Sequence, residues 1–191
     1  MSIENNKDIQ PQKSKPASLP GRLRRDEKGA TAVEFGIIAA PFLVLIVALL
    51  ETALVHMTAL DLENAVRDAS RQIRTGQAQV ANLSASQFKN LVCDNTVLIS
   101  DCRTTDKLVI DIRSYEDFDT ISVDPSDLYD DDGEFTGGDQ HDMGSGLKVV
   151  VVRTYYKMKL IAQIPTVGLA NAGPHHRMLD AISVFRNEPF S

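Results

Sequence analysis

The chain has 191 residues, a formal net charge of −6, two cysteines and no tryptophan. Charge is unevenly placed: residues 1–29 carry seven Lys/Arg against four Asp/Glu, and the remainder carries thirteen against twenty-two. That acidic remainder excludes the basic surface that nucleic acid selects, and the length leaves room for one modest domain beside a membrane segment.

Met1 to Pro20 is polar, with little to bury, and is expected to be disordered. A basic stretch with Arg22, Arg24, Arg25 and Lys28 follows and ends at Gly29. Ala30–Leu50 then reads ATAVEFGIIAAPFLVLIVALL, twenty-one residues in which Glu34 is the one charge. About 20 apolar residues at roughly 1.5 Å each cross a bilayer core of about 30 Å. Because the basic flank precedes the span, residues 1–29 are expected in the cytoplasm and everything after Glu51 outside the inner membrane. A cleaved secretory signal fits less well, since its apolar core is about 7–15 residues long and a small-x-small site follows it. Here the run is longer and leads into Glu51-Thr52-Ala53-Leu54-Val55. Pro41 lies inside the span, where it removes a backbone hydrogen bond and is expected to kink the helix.

Gly29 directly precedes the apolar run, Glu34 is the fifth residue after it and Phe35 the sixth. That pattern resembles the processing site of type IV-class prepilins. With Ala39-Ala40-Pro41 downstream, it also resembles the TadE/TadG-like family, the minor pseudopilins of tight-adherence (Flp) pilus systems. Gly36 stands where that family more often has Ala. The likeness is strong from Lys28 to about Leu50 and weaker at Val184–Phe190. It implies a membrane peptidase cutting after Gly29, a new amino terminus at Ala30, and other pilins, pseudopilins and Tad assembly proteins as partners. It also implies a non-enzymatic role in pilus assembly, secretion and adhesion. The chemistry is consistent with that. A glycine offers no Cβ to obstruct a protease. A carboxylate in a span is costly, about 2.5–3.5 kcal/mol at the bilayer centre and less near the interface. Glu34 is therefore expected either to pair with the amine freed at Ala30, its own or a neighbour's, or to sit unpartnered at the cytoplasmic interface.

The helical pattern continues past the span. Val55, Ala59, Leu62, Val66, Ala69 and Ile73 form an apolar stripe, and Asp61, Glu63, Arg67, Asp68, Arg71 and Arg74 lie mostly off it. Glu63 and Arg67 are an i,i+4 pair, and Gly76 is a natural cap. The reading is an amphipathic extension over 51–76. Either Ala30–Thr75 is one long helix, or two helices break around Glu51–Thr58.

Residues 77–191 read as the extracytoplasmic domain. Ser84-Ala85-Ser86-Gln87 has the form of a capping box, predicting a short helix with Phe88, Leu91 and Val92 inward. Cys93 and Cys102 are expected to form a disulfide in an oxidising compartment. Leu108–Tyr115 alternates as a half-buried strand. Lys148–Leu160 reads as a central strand, with Arg153, Lys157 and Lys159 marking a solvated face. Ala181–Phe185 reads as a last strand, with Ile182 and Val184 sharing a face. Residues 124–146 form an acidic, Gly-rich loop. Aligned on Gly133, an EF-hand would begin at Leu128 and end at Asp139 rather than Glu, so that pattern fails. A looser Ca²⁺ site at Asp130, Asp132 and Asp139, or a plain solvated loop, remain the alternatives. His141, His175 and His176 read as loop and turn residues, and Phe190 as the anchor of a docked chain end.

The fold class is thus α+β: a long N-terminal transmembrane helix extending into an amphipathic helix on a small antiparallel sheet, as in pilins. No nucleophile–base set, metal motif or phosphate loop is present, so no enzyme activity and no cofactor are expected. The functional expectation is a single-pass, minor pseudopilin-like protein of Flp/Tad pilus assembly. The alternative is a bitopic membrane protein whose exported domain binds a ligand, Ca²⁺ or a partner.

Overall fold

The computed structural model describes residues 27–103, 107–122, 135, 140–162 and 168–190, with backbone alone at 27, 28 and 30. Helices α1 (Glu27–Arg74), α2 (Gln77–Val80) and α3 (Ala85–Asp94) precede strands β1 (Leu108–Tyr115), β2 (Val149–Lys159) and β3 (His176–Arg186). A single 3-10 turn, Phe118–Thr120, follows β1. The fold is α+β, and the chain divides into two compact units between Leu45 and Ile46.

In the first unit the described residues are all α1. From Thr31 on it is apolar round the helix apart from Glu34, with Val33, Phe35, Ile37, Ile38, Phe42 and Leu43 exposed. A helix without a polar face belongs in lipid or against other apolar helices.

In the second unit the amphipathic stripe does what its spacing predicts. Val55, Leu62, Val66, Ala69 and Ile73 are buried, and Ala59 packs beside them. They share one core with Leu108 and Ile112 of β1, Val150, Val152 and Tyr156 of β2, and Leu179 and Ala181 of β3. Phe88 and Val92 of α3 close it. α1 continues through Glu51–Thr58 without the alternative break. The capping box at the start of α3 is present, with Ser84 and Gln87 bonding reciprocally. At the other end of α1, Gly76 takes φ 78°, and a Cβ built there would meet the Phe190 ring at 2.6 Å. Glu188 N–H donates to the Arg74 carbonyl at 2.8 Å. The last turn of α1 is thus finished by the chain end that Phe190 anchors.

The three strands are antiparallel in the order β1-β2-β3. β2 is central, and Val149 to Tyr156 are buried on both faces. Three details correct the reading of the sequence. Arg153 is not solvated: it is 1% exposed and its Nη2 donates to Asp111, itself fully buried, at 2.6 Å. β3 begins at His176, and its core side carries Leu179, Ala181 and Phe185, leaving Ile182 and Val184 exposed. The close of the acidic segment, read as loop, is tied to the sheet. Ile112 N–H donates to the Gln140 carbonyl at 2.8 Å, and Asp142 N–H donates to the Ile112 carbonyl at 2.9 Å. Residues 140–142 therefore cover the open edge of β1, which otherwise presents unpaired backbone groups.

Candidate functional site

The N-terminal residues singled out by pattern lie near the start of α1. The described part of α1 opens at Glu27 and includes Gly29 and Ala30. Gly29 is exposed, with nothing within 4 Å of an added Cβ. Glu34 is exposed, and Phe35 is 73% exposed. Four residues separate Ala30 from Glu34, which puts the two on one face of the helix about one turn apart. Pro41 is inside the helix, so the Ile37 carbonyl lacks the partner that an N–H at that position would supply. This part of the chain offers an apolar surface with one acid near its start.

In the second unit α1 supplies two acids that sequence reasoning did not assign. Glu51 is 5% exposed, and one carboxylate oxygen accepts from the N–H of Ile161 at 2.5 Å and of Ala162 at 2.8 Å. Asp61 accepts from the N–H groups of Val97 at 3.0 Å and Leu98 at 2.9 Å. Each works as a side-chain cap for a turn far away in sequence. A signal existed for Glu51: an acid one residue beyond an apolar run, on the line of Val55, Leu62 and Val66, cannot be an ordinary solvated residue. The outward face of the same turns is apolar, with Leu54, Met57 and Leu60 at 40–59% exposure.

Cys93 and Cys102 are joined, as expected, with Cα atoms 5.7 Å apart. The loop they close is held by Asp61 on one side and by Asp101 on the other. Asp101 accepts from Lys107 Nζ at 2.8 Å and from the Tyr156 hydroxyl at 3.0 Å. The bond from Lys107 leads in holding the Asp101 carboxyl below its ordinary range. Burial first, and the neighbouring Asp101 second, push the Tyr156 hydroxyl up to about 12.

The histidines do not converge. His141 shares a hydrogen bond with the Leu83 carbonyl at 2.9 Å and its ring lies 6.5 Å from that of Phe88. His175 is exposed with φ 62°, and His176 Nδ1 bonds the Pro174 carbonyl at 2.8 Å. Asp130, Asp132 and Asp139 lie outside the described residues. Of the acidic segment, Asp142 is described, and it is engaged by Ser114 at 2.5 Å and by the Gly144 N–H at 3.0 Å. Among the described residues no three His, Cys, Asp or Glu gather into a metal site.

Neither the curated proteins nor the solved structures give a match. Residues 29–71, from the glycine before the apolar run to a point near the end of α1, match the family model of the TadE-like protein, and over that stretch the chain is similar to that family.

Proposed function

We propose that this protein is a membrane-anchored, non-enzymatic component of Tad-type pilus assembly, a minor pseudopilin. One observation carries the reading: the TadE-like match opens at Gly29, and Glu34 and Phe35 stand fifth and sixth after it on a helix whose described first unit is apolar all round. The leader directs insertion and stays in the cytoplasm by its basic charge, while the domain that follows is exported to the periplasm. A prepilin-type peptidase cuts after Gly29. The bond lies within α1, which has to unwind there for cleavage. Glycine lowers that cost, being about 0.5–1 kcal/mol poorer than alanine in a helix.

Cleavage frees an amine at Ala30, one turn before Glu34 on the same face. A carboxylate and an ammonium in lipid neutralise each other's desolvation, within one subunit or between neighbours. The apolar helix then joins other pilins or pseudopilins side by side, with Pro41 setting a kink. Intact-mass measurement on the protein from its native host tests this. A mature chain beginning at Ala30, with Gly29→Val leaving the precursor uncut, is the expected result. A full-length chain in wild type removes the processing step and leaves a bare anchor.

A further inference from the structure

The apolar face of α1 does not end with the predicted span. Leu49 and Leu50 are 61–63% exposed, Leu54 is 40% and Met57 is 57% exposed, all in the second unit. Between them Glu51 points the other way, buried, and grips the N–H groups of Ile161 and Ala162. This clamp sets the end of β2 at the level where the apolar run gives out. Ile161, held there by its backbone, leaves its side chain 75% exposed. Lys157 and Lys159, the last outward residues of β2, are also exposed, and neither meets an acid among the described residues. An exposed isoleucine thus follows two exposed lysines that meet no acid among the described residues, on a chain that is acidic as a whole.

We propose that this corner is a bilayer-docking surface: Ile161 enters the headgroup boundary of the outer leaflet, and Lys157 and Lys159 contact anionic lipid headgroups. Two features select lipid over another occupant. Glu51, which holds Ile161 and Ala162, directly follows the apolar run Ala30–Leu50, so the corner stands at the level where that run ends. Its charge is also opposite to that of the chain as a whole, net −6, and complementary to an anionic membrane. Docking fixes the tilt of the domain against the membrane, and Glu51 acts as the positioning residue. The proposal rests on the membrane reading of α1 and not on pilus assembly.

The absence of tryptophan makes the test direct. Full-length I161W, reconstituted in vesicles of mixed zwitterionic and anionic lipid, carries one indole. V97W is the comparison: Val97 is 84% exposed and tied to Asp61, roughly 15 Å further along α1 than Glu51. The expected result is loss of I161W emission with lipids brominated near the headgroup, and none for V97W. Replacing Lys157 and Lys159 by Gln should weaken docking by about fivefold each in anionic vesicles, and not in neutral ones. Equal accessibility of both indoles to an aqueous quencher overturns the proposal. So does shielding of I161W that bromolipid does not quench and that fades on dilution in lipid, which assigns the corner to a second copy. Failure of the wild-type chain to float with vesicles overturns the anchoring reading as well, whereas flotation without quenching removes docking alone.

Discussion

At the scale of single residues, Asp111 bears the heaviest electrostatic demand in the second unit. Its carboxylate is fully buried, accepts from Arg153 Nε at 3.0 Å and Nη2 at 2.6 Å, from Arg113 Nε at 3.3 Å, and from the Gln140 N–H at 3.3 Å. The two sides of the pair are not equivalent. Asp111→Asn leaves a buried guanidinium without its carboxylate and should cost roughly 3–5 kcal/mol. Arg153→Met leaves Asp111 its bonds from Arg113 and Gln140, and should cost less. The double variant should cost less than the sum of the two. Chemical denaturation of the four proteins measures this, and equal single costs would show that Arg113 and Gln140 do not compensate. Tyr156 makes a prediction on pH. Its folded hydroxyl is pushed up to about 12 from 10.0. Below pH 10 both states keep the proton and the contribution is full. Above that, the unfolded chain ionises first, binds fewer protons, and stability falls as pH rises towards 12. The stability gap between wild type and Tyr156→Phe should therefore shrink across that window, by up to about 2–3 kcal/mol. A gap independent of pH would rule out the shift.

At the scale of elements, the loop from Cys93 to Cys102 has three ties: the disulfide, the Asp61 carboxylate under Val97 and Leu98, and the Asp101–Tyr156 bond to β2. A disulfide closing so short a loop stabilises by about 2–3 kcal/mol through the unfolded chain. Asp61→Ala acts on the folded state, leaving two N–H groups to water, and should cost about 1–2 kcal/mol. Because they act on different states, the two losses should add in a C93S/C102S/D61A chain, as thermal unfolding would show. A marked excess over additivity would mean that the disulfide places the turn on Asp61. These ties also show where sequence reading stops. The α1 stripe, the capping box at Ser84 and the alternation of β1 were legible because periodicity and local spacing carry them. Glu51 stood on the buried line of that stripe, but its partner and that of Asp61 were not legible, because they are backbone groups of Ile161 and Val97, which no pattern marks. Arg153 was misread because charge usually signals solvent, and its partner lies on another strand. β3 was started late because His176 and Arg177 hide the alternation that Leu179, Ala181 and Phe185 carry.

At the scale of the whole chain, the proposed function depends on which side of a membrane each part occupies, and charge asymmetry is the available cause. Seven Lys/Arg precede Ala30, four of them within eight residues of it, and twenty-two Asp/Glu follow. Short basic flanks set orientation because they resist translocation, while acids contribute little. The Cys93–Cys102 pair then serves as a built-in reporter, since it closes readily in an oxidising compartment and stays reduced in the cytosol. In wild type the two thiols should be blocked to maleimide until a reductant is added. Replacing Arg22, Arg24 and Arg25 together by Glu should strand part of the population with its domain in the cytoplasm. That fraction should be maleimide-reactive without reductant, still co-sediment with membranes, and retain a full-length N-terminus or show an altered one. Anchoring and orientation are thus read apart: sedimentation follows the apolar helix, which the substitutions leave alone, and thiol state follows the side on which the domain folds. Thiols blocked to the same extent in both proteins would mean that the basic leader does not orient the chain, and the proposed export of the domain would need another cause.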